Sequence, residues 1–144
     1  MRKINKIIIH CSATPECRDV KTSTVKKWHT DKGWTDIGYH FVVELDGTIV
    51  EGRPIKKVGA HTYGYNSSSI GICYIGGMTS DMSEPLDTRT EAQEESLNVL
   101  LMYLHLVVPE ASIHGHNEFK NKACPSFNVQ EEYKHLKKMH DTNN

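Results

Sequence analysis

The sequence lacks any long apolar run. No stretch approaches the roughly 20 apolar residues that a membrane-crossing helix needs. The basic start, Met1-Arg2-Lys3-Ile4-Asn5-Lys6, leads only into Ile7-Ile8-Ile9 before His10. That predicts no signal peptide and synthesis in the cytoplasm. Net charge is also missing: 17 Lys and Arg stand against 18 Asp and Glu, a formal −1. With no surplus of either sign, neither nucleic acid nor an anionic membrane is an expected partner. Cysteine is sparse and unpatterned. Cys11, Cys17, Cys73 and Cys124 form no CxxC pair and no disulfide framework. Free thiols are therefore expected, with Cys11 and Cys17 the one pair near enough in a loop to bridge. Repeats, linkers and low-complexity tracts are absent as well.

What remains is one domain over residues 1–144, with a core across 4–140, expected to act as a monomer. Lys6 to His10 reads as a buried strand, β-branched on both faces. Thr22 to Lys32 reads as a helix capped by Thr22 or Ser23 and ended by Gly33. Tyr39 to Glu44 is a strand that turns through Asp46-Gly47 into Thr48-Ile49-Val50. Glu51 to Ser69 is a long loop whose aromatics argue for order. Ser69 to Ile75 is another buried strand, followed by a polar excursion from Met78 to Asp87. Thr88 to Val108 is a helix with a Leu stripe and a capping box from Thr90 to Gln93. Ala111 to His114 is a short strand, and Val129 to Met139 a last amphipathic helix. Strands alternating with helices predict an α/β domain: a central mixed sheet flanked by helices. Trp28 and Trp34 are expected in the core.

The nine His are many for this length. His116 and Cys124 lie in a segment too polar for core, and both side chains suit zinc. His10, at the end of a central strand, is the best third ligand. A set of three protein ligands leaves the fourth position open, as catalytic zinc requires. His114, two residues from His116, is the alternate ligand, separated from it by Gly115. Glu118 is placed to orient a ligating imidazole. Lys122 would face a developing oxyanion, and Tyr39 would donate from a phenol. His61, with Tyr63, Tyr65 and Asn66, gives the long loop the mixture of aromatic and polar groups that a sugar or peptide cleft uses.

In register along nearly the whole chain, these residues resemble a known family. The motifs are Ile8-Ile9-His10-Cys11-Ser12-Ala13-Thr14, Trp28-His29, Gly33-Trp34, Gly38-Tyr39-His40-Phe41, Asp46-Gly47-Thr48 and Glu51-Gly52-Arg53. They continue through Gly59-Ala60-His61, Gly64-Tyr65-Asn66, Ser69-Ile70-Gly71-Ile72, Gly76-Gly77, His116-Asn117-Glu118 and Lys122-Ala123-Cys124-Pro125-Ser126-Phe127. The chain resembles type 2 N-acetylmuramoyl-L-alanine amidases, most nearly the bacteriophage lysozyme-like ones, which are related to peptidoglycan recognition proteins. The resemblance implies a mixed sheet with a zinc cleft on one face, and one catalytic Zn2+ held by His10, His116 and Cys124. It implies Tyr39 and Lys122 in catalysis, and His61 and Asn66 lining the substrate groove, with Arg53 beside them. The implied substrate is peptidoglycan or a muropeptide. The implied role is an endolysin released to the cell wall by a separate membrane-permeabilising protein, or a muropeptide recycler. Some relatives carry Asp in place of Cys124, and others a Glu in place of Cys73 that serves proton transfer. Non-catalytic relatives lose the Cys ligand, which this chain keeps. The competing expectations are a recognition module that binds without cutting, and a structural zinc site closed by His114.

Overall fold

The computed structural model describes residues 1–136. The last helix is described as α3, Val129–Glu132, with a turn at Tyr133. Residues 134–136 are helical again after that turn, and the rest of the predicted helix, to Met139, lies outside the described residues.

The first strand organises the rest. In β1 (Lys6–Cys11) every residue after Lys6 is buried, which is why its sequence is apolar on both faces. It pairs in parallel with β5 (Ser69–Tyr74) on one side and β7 (Ser112–Gly115) on the other. Beyond β5 lies β3 (Phe41–Val43), parallel to it, and then β4 (Ile49–Glu51), antiparallel through the Asp46-Gly47 turn. The sheet order is β4-β3-β5-β1-β7, mixed as predicted. A second small sheet joins β2 (Thr14–Pro15) to β6 (Gly77–Met78) in parallel. It occupies part of the stretch read from sequence as a polar excursion.

Strand parity divides the faces. Ile7, Ile9, Ile70, Ile72 and Tyr74 join a core with Leu97, Leu100, Leu101 and Leu104 of helix α2 (Glu91–Val107). Burying each Leu contributes on the order of 1.5–3 kcal/mol. The capping box is present, and Gln93 also donates to the carbonyls of Val43 and Ile75, tying the helix start to two strand ends. The opposite face carries His10, Cys73 and Val42, which parity turns away from α2. Helix α1 (Thr22–Asp31) buries only Val25. Its predicted Thr or Ser cap is replaced from a distance: Glu44 accepts from both Thr22 N and Thr22 Oγ1, at 2.8 and 2.7 Å. Trp28 and Trp34, predicted as core, are exposed by 44% and 37%, because a helix presenting one small apolar anchor covers little. All four cysteines are free, Cys11 and Cys17 included. Among the described residues no helix is long and apolar enough to cross a membrane.

Candidate active site

Register brings the chemistry together. β1 and β7 run in parallel with Ile9 opposite Gly115, so the next residues, His10 and His116, emerge side by side. Their ring centroids are 4.5 Å apart. Gly115 is required at this step: a Cβ there would stand 2.7 Å from Asn117 Oδ1 and 2.9 Å from Val129 Cγ2. Cys124 arrives from the following loop, its Sγ accepting from the backbone N–H of Cys11 at 3.2 Å. The ligand atoms of His10, His116 and Cys124 all lie within 4.8 Å of one another, a group that could hold a metal ion.

The electrostatics suit that use. Burial, followed by the charges of His61, His116 and Lys122, holds His10 well below its ordinary value. Burial, followed by Lys122 and Lys120, lowers His116. Both imidazoles are therefore neutral near pH 7, as metal ligands must be. The Cys11 and Cys124 side chains are neighbours, Cys124 Sγ meeting both the N–H and the carbonyl of Cys11. The neighbouring thiol lowers Cys11 to about 7 and, with burial, pushes Cys124 up, so the pair carries a single thiolate. The Cys11 N–H aimed at Cys124 Sγ favours the charge on Cys124. Two neutral imidazoles and one thiolate are a fitting donor set for catalytic zinc.

The other predicted residues surround this centre. Tyr39, just ahead of β3, has its ring 5.2 Å from His10 and 5.5 Å from His29. Burial and the neighbouring thiols hold its phenol well above 10, so it stays protonated. Cys73 is opposite His10 in the β1–β5 register and fully buried, its thiol likewise pushed up by burial. Lys122 is exposed, at the edge where its charge reaches both His10 and His116.

Residues 1–127 match the family described as N-acetylmuramoyl-L-alanine amidase. The chain belongs to that family. It is 42% identical to the endolysin of Escherichia phage T7 over 125 residues, covering 86% of this chain and 82% of the relative. It is 39% identical to the endolysin of Klebsiella phage KP32 over 129 residues, 90% of this chain and 85% of that one. Among solved structures, the N-acetylmuramoyl-L-alanine amidase LysC from Clostridium intestinale superposes with a TM-score of 0.79 at 29% identity, covering 94% of this chain and 87% of its own. Tracheal cytotoxin bound to the ectodomain complex of the recognition proteins PGRP-LCa and PGRP-LCx gives 0.72 at 31% identity, covering 93% and 82%.

Within this amidase fold, three predicted groove residues have their polar atoms engaged inside the protein. Arg53 donates to the carbonyls of Ile37, Val58 and Asp36, bracing two loops. Asn66 Oδ1 accepts from the N–H groups of both His61 and Thr62. His61 Nδ1 meets His10 Nε2 at 2.9 Å. His114 bonds Glu118 through Nδ1 and Ser112 through Nε2, and it is not one of the three grouped ligands. Glu118, expected to orient a ligand ring, instead holds His114, the Gly115 N–H and Gln130. It shapes the turn that carries His116 rather than touching the imidazole.

Sequence reasoning missed the layer behind Cys124. The Tyr74 hydroxyl donates to the Pro125 carbonyl at 2.6 Å. Ser126, held at a positive φ of 72°, donates to the Gly77 carbonyl. The nearly buried Arg89 guanidinium lies 3.7 Å above the Phe127 ring and bonds Asp87 and the Tyr133 hydroxyl. Apart from Asp87, two residues from Arg89, these partners are distant in sequence, so no local signal announces them. Only Cys11, adjacent to His10, was findable.

Proposed function

We propose that the chain is a zinc-dependent amidase that hydrolyses the bond between the lactyl group of N-acetylmuramic acid and the L-alanine of the stem peptide. The observation that carries this reading is the convergence of His10, His116 and Cys124. Neutral His10 and His116 and the Cys124 thiolate would hold the ion, which would supply Lewis-acid polarisation of the scissile carbonyl and make water acidic enough to attack near neutral pH. The Lys122 ammonium, at the rim, stabilises the negative charge that develops on the carbonyl oxygen. The protonated Tyr39 phenol orients the attacking water and donates towards the leaving nitrogen. Cys73, where some relatives place Glu, is a buried neutral thiol, which leaves proton handling to Tyr39 and Lys122. The braces made by Arg53 and Asn66 keep the groove wall in shape for the substrate. The endolysin relatives support action on the cell wall; in this reading the chain works as a monomer and reaches the wall once a separate protein has permeabilised the membrane.

The test is digestion of purified peptidoglycan with and without a chelator, followed by product analysis. New L-alanine amines that disappear with the chelator and return with zinc support the reading. Reducing sugar ends, or lysis indifferent to the chelator, refute it.

A further inference from the structure

His61 sits deeper than a groove residue needs to. Its ring lies over two glycines: a Cβ on Gly71 would come within 2.6 Å of it, and one on Gly59 within 2.8 Å. Both of its nitrogens meet protein atoms, and the protons along that chain follow from an acceptor at its far end. The Tyr65 carbonyl can only accept. Ser69 Oγ lies 2.8 Å from it, a distance at which two oxygens meet through a proton, so Ser69 donates there. Ser69 Oγ is thus left to accept from His61 Nε2, 3.4 Å away, which puts the His61 proton on Nε2. His61 Nδ1 is then bare. It lies 2.9 Å from His10 Nε2, so that nitrogen must carry the proton between them. Thr62 Oγ1 fits the same assignment, 3.0 Å from His61 Nδ1 and 3.3 Å from His10 Nε2.

We propose that His61 is a positioning residue. With Ser69 and the Tyr65 carbonyl it fixes His10 as the Nε2–H tautomer, leaving Nδ1 bare and turned to the metal-binding group. The use of Nδ1 rests on the zinc reading above; the tautomer does not. A ligating imidazole whose other N–H is anchored keeps both its orientation and its basicity.

The experiment is long-range proton–nitrogen correlation NMR on the full chain, before and after zinc is added, at a pH where the imidazoles are neutral. His10 is expected protonated at Nε2 before zinc arrives, and His61 likewise. A His10 proton on Nδ1 overturns the proposal. Zinc affinity, read by competition with a chromogenic chelator, gives a second arm. His61→Gln keeps an acceptor and should bind within a few-fold of the parent, whereas His61→Phe should bind about 10- to 100-fold more weakly. Equal affinity in these two variants also overturns the proposal. A chain that takes up no zinc yet shows His10 protonated at Nε2 refutes the metal reading and leaves the relay standing.

Discussion

Tyr74→Phe separates the scaffold of the site from its chemistry. Tyr74 is fully buried, and burial raises its phenol far enough that the group is always a neutral donor. The substitution keeps the ring and its packing against Phe127. It removes one bond, the 2.6 Å contact to the Pro125 carbonyl. Pro125 is itself buried, so water cannot replace the lost donor. A buried acceptor left unsatisfied costs about 1–3 kcal/mol. For a domain of this length, each kcal/mol moves the midpoint by about 3 °C, so Tm should fall by about 3–9 °C. Because Pro125 follows Cys124 directly, the ligand loop should also loosen. The assay is thermal unfolding by circular dichroism, paired with chelator competition on the same sample. A Tm within 1 °C of the parent, with unchanged zinc affinity, would show that the hydroxyl does not hold the loop.

Cys124→Ala should abolish zinc-dependent digestion; wild-type rates on purified peptidoglycan would sink the mechanism. Lys122→Ala should lower turnover by a factor on the order of 10² to 10³. Zinc content, measured by mass spectrometry, should stay at the parent level. Stability should fall in acid because burial depresses His40 to about 4 from 6.5. The unfolded chain then binds the extra proton, so the contribution is intact above pH 6.5 and is lost as pH falls towards 4. At pH 5 the loss from His40 is about 2 kcal/mol. His61 and His10, both depressed chiefly by burial, act in the same direction. Urea midpoints at pH 7 and pH 5 test this, and an unchanged midpoint would contradict it.

Local features were the legible ones. The Thr90–Gln93 box, the Asp46-Gly47 hairpin and the apolar β1 are written in neighbouring residues, and each forms as read. The pairing of His10 with His116 and Cys124 was legible only through residue chemistry and family resemblance, since their spacing exceeds any local rule. What escaped depends on tertiary partners. The Thr22 helix start draws its acceptor from Glu44. Glu118 prefers His114 because the turn after β7 points it there. Trp28 and Trp34 read as core by type alone, yet α1 buries only Val25 and both indoles stay exposed. Two-residue strands such as β2 and β6 carry too little pattern to be seen.

The position of β1 between β5 and β7 sets a timetable for biosynthesis. Its partner β7 begins at Ser112, paired with Lys6, so about a hundred further residues must be translated before the sheet can close. At roughly 5–20 residues per second, the nascent strand waits about 5–20 s with one apolar edge unpaired. The metal-binding group is split across the same interval, with His10 emerging early and His116 and Cys124 near the end. A chain stalled or cut before Ser112 therefore carries no partial activity, and its unpaired Ile7-Ile8-Ile9 run becomes a site for chaperone capture or aggregation.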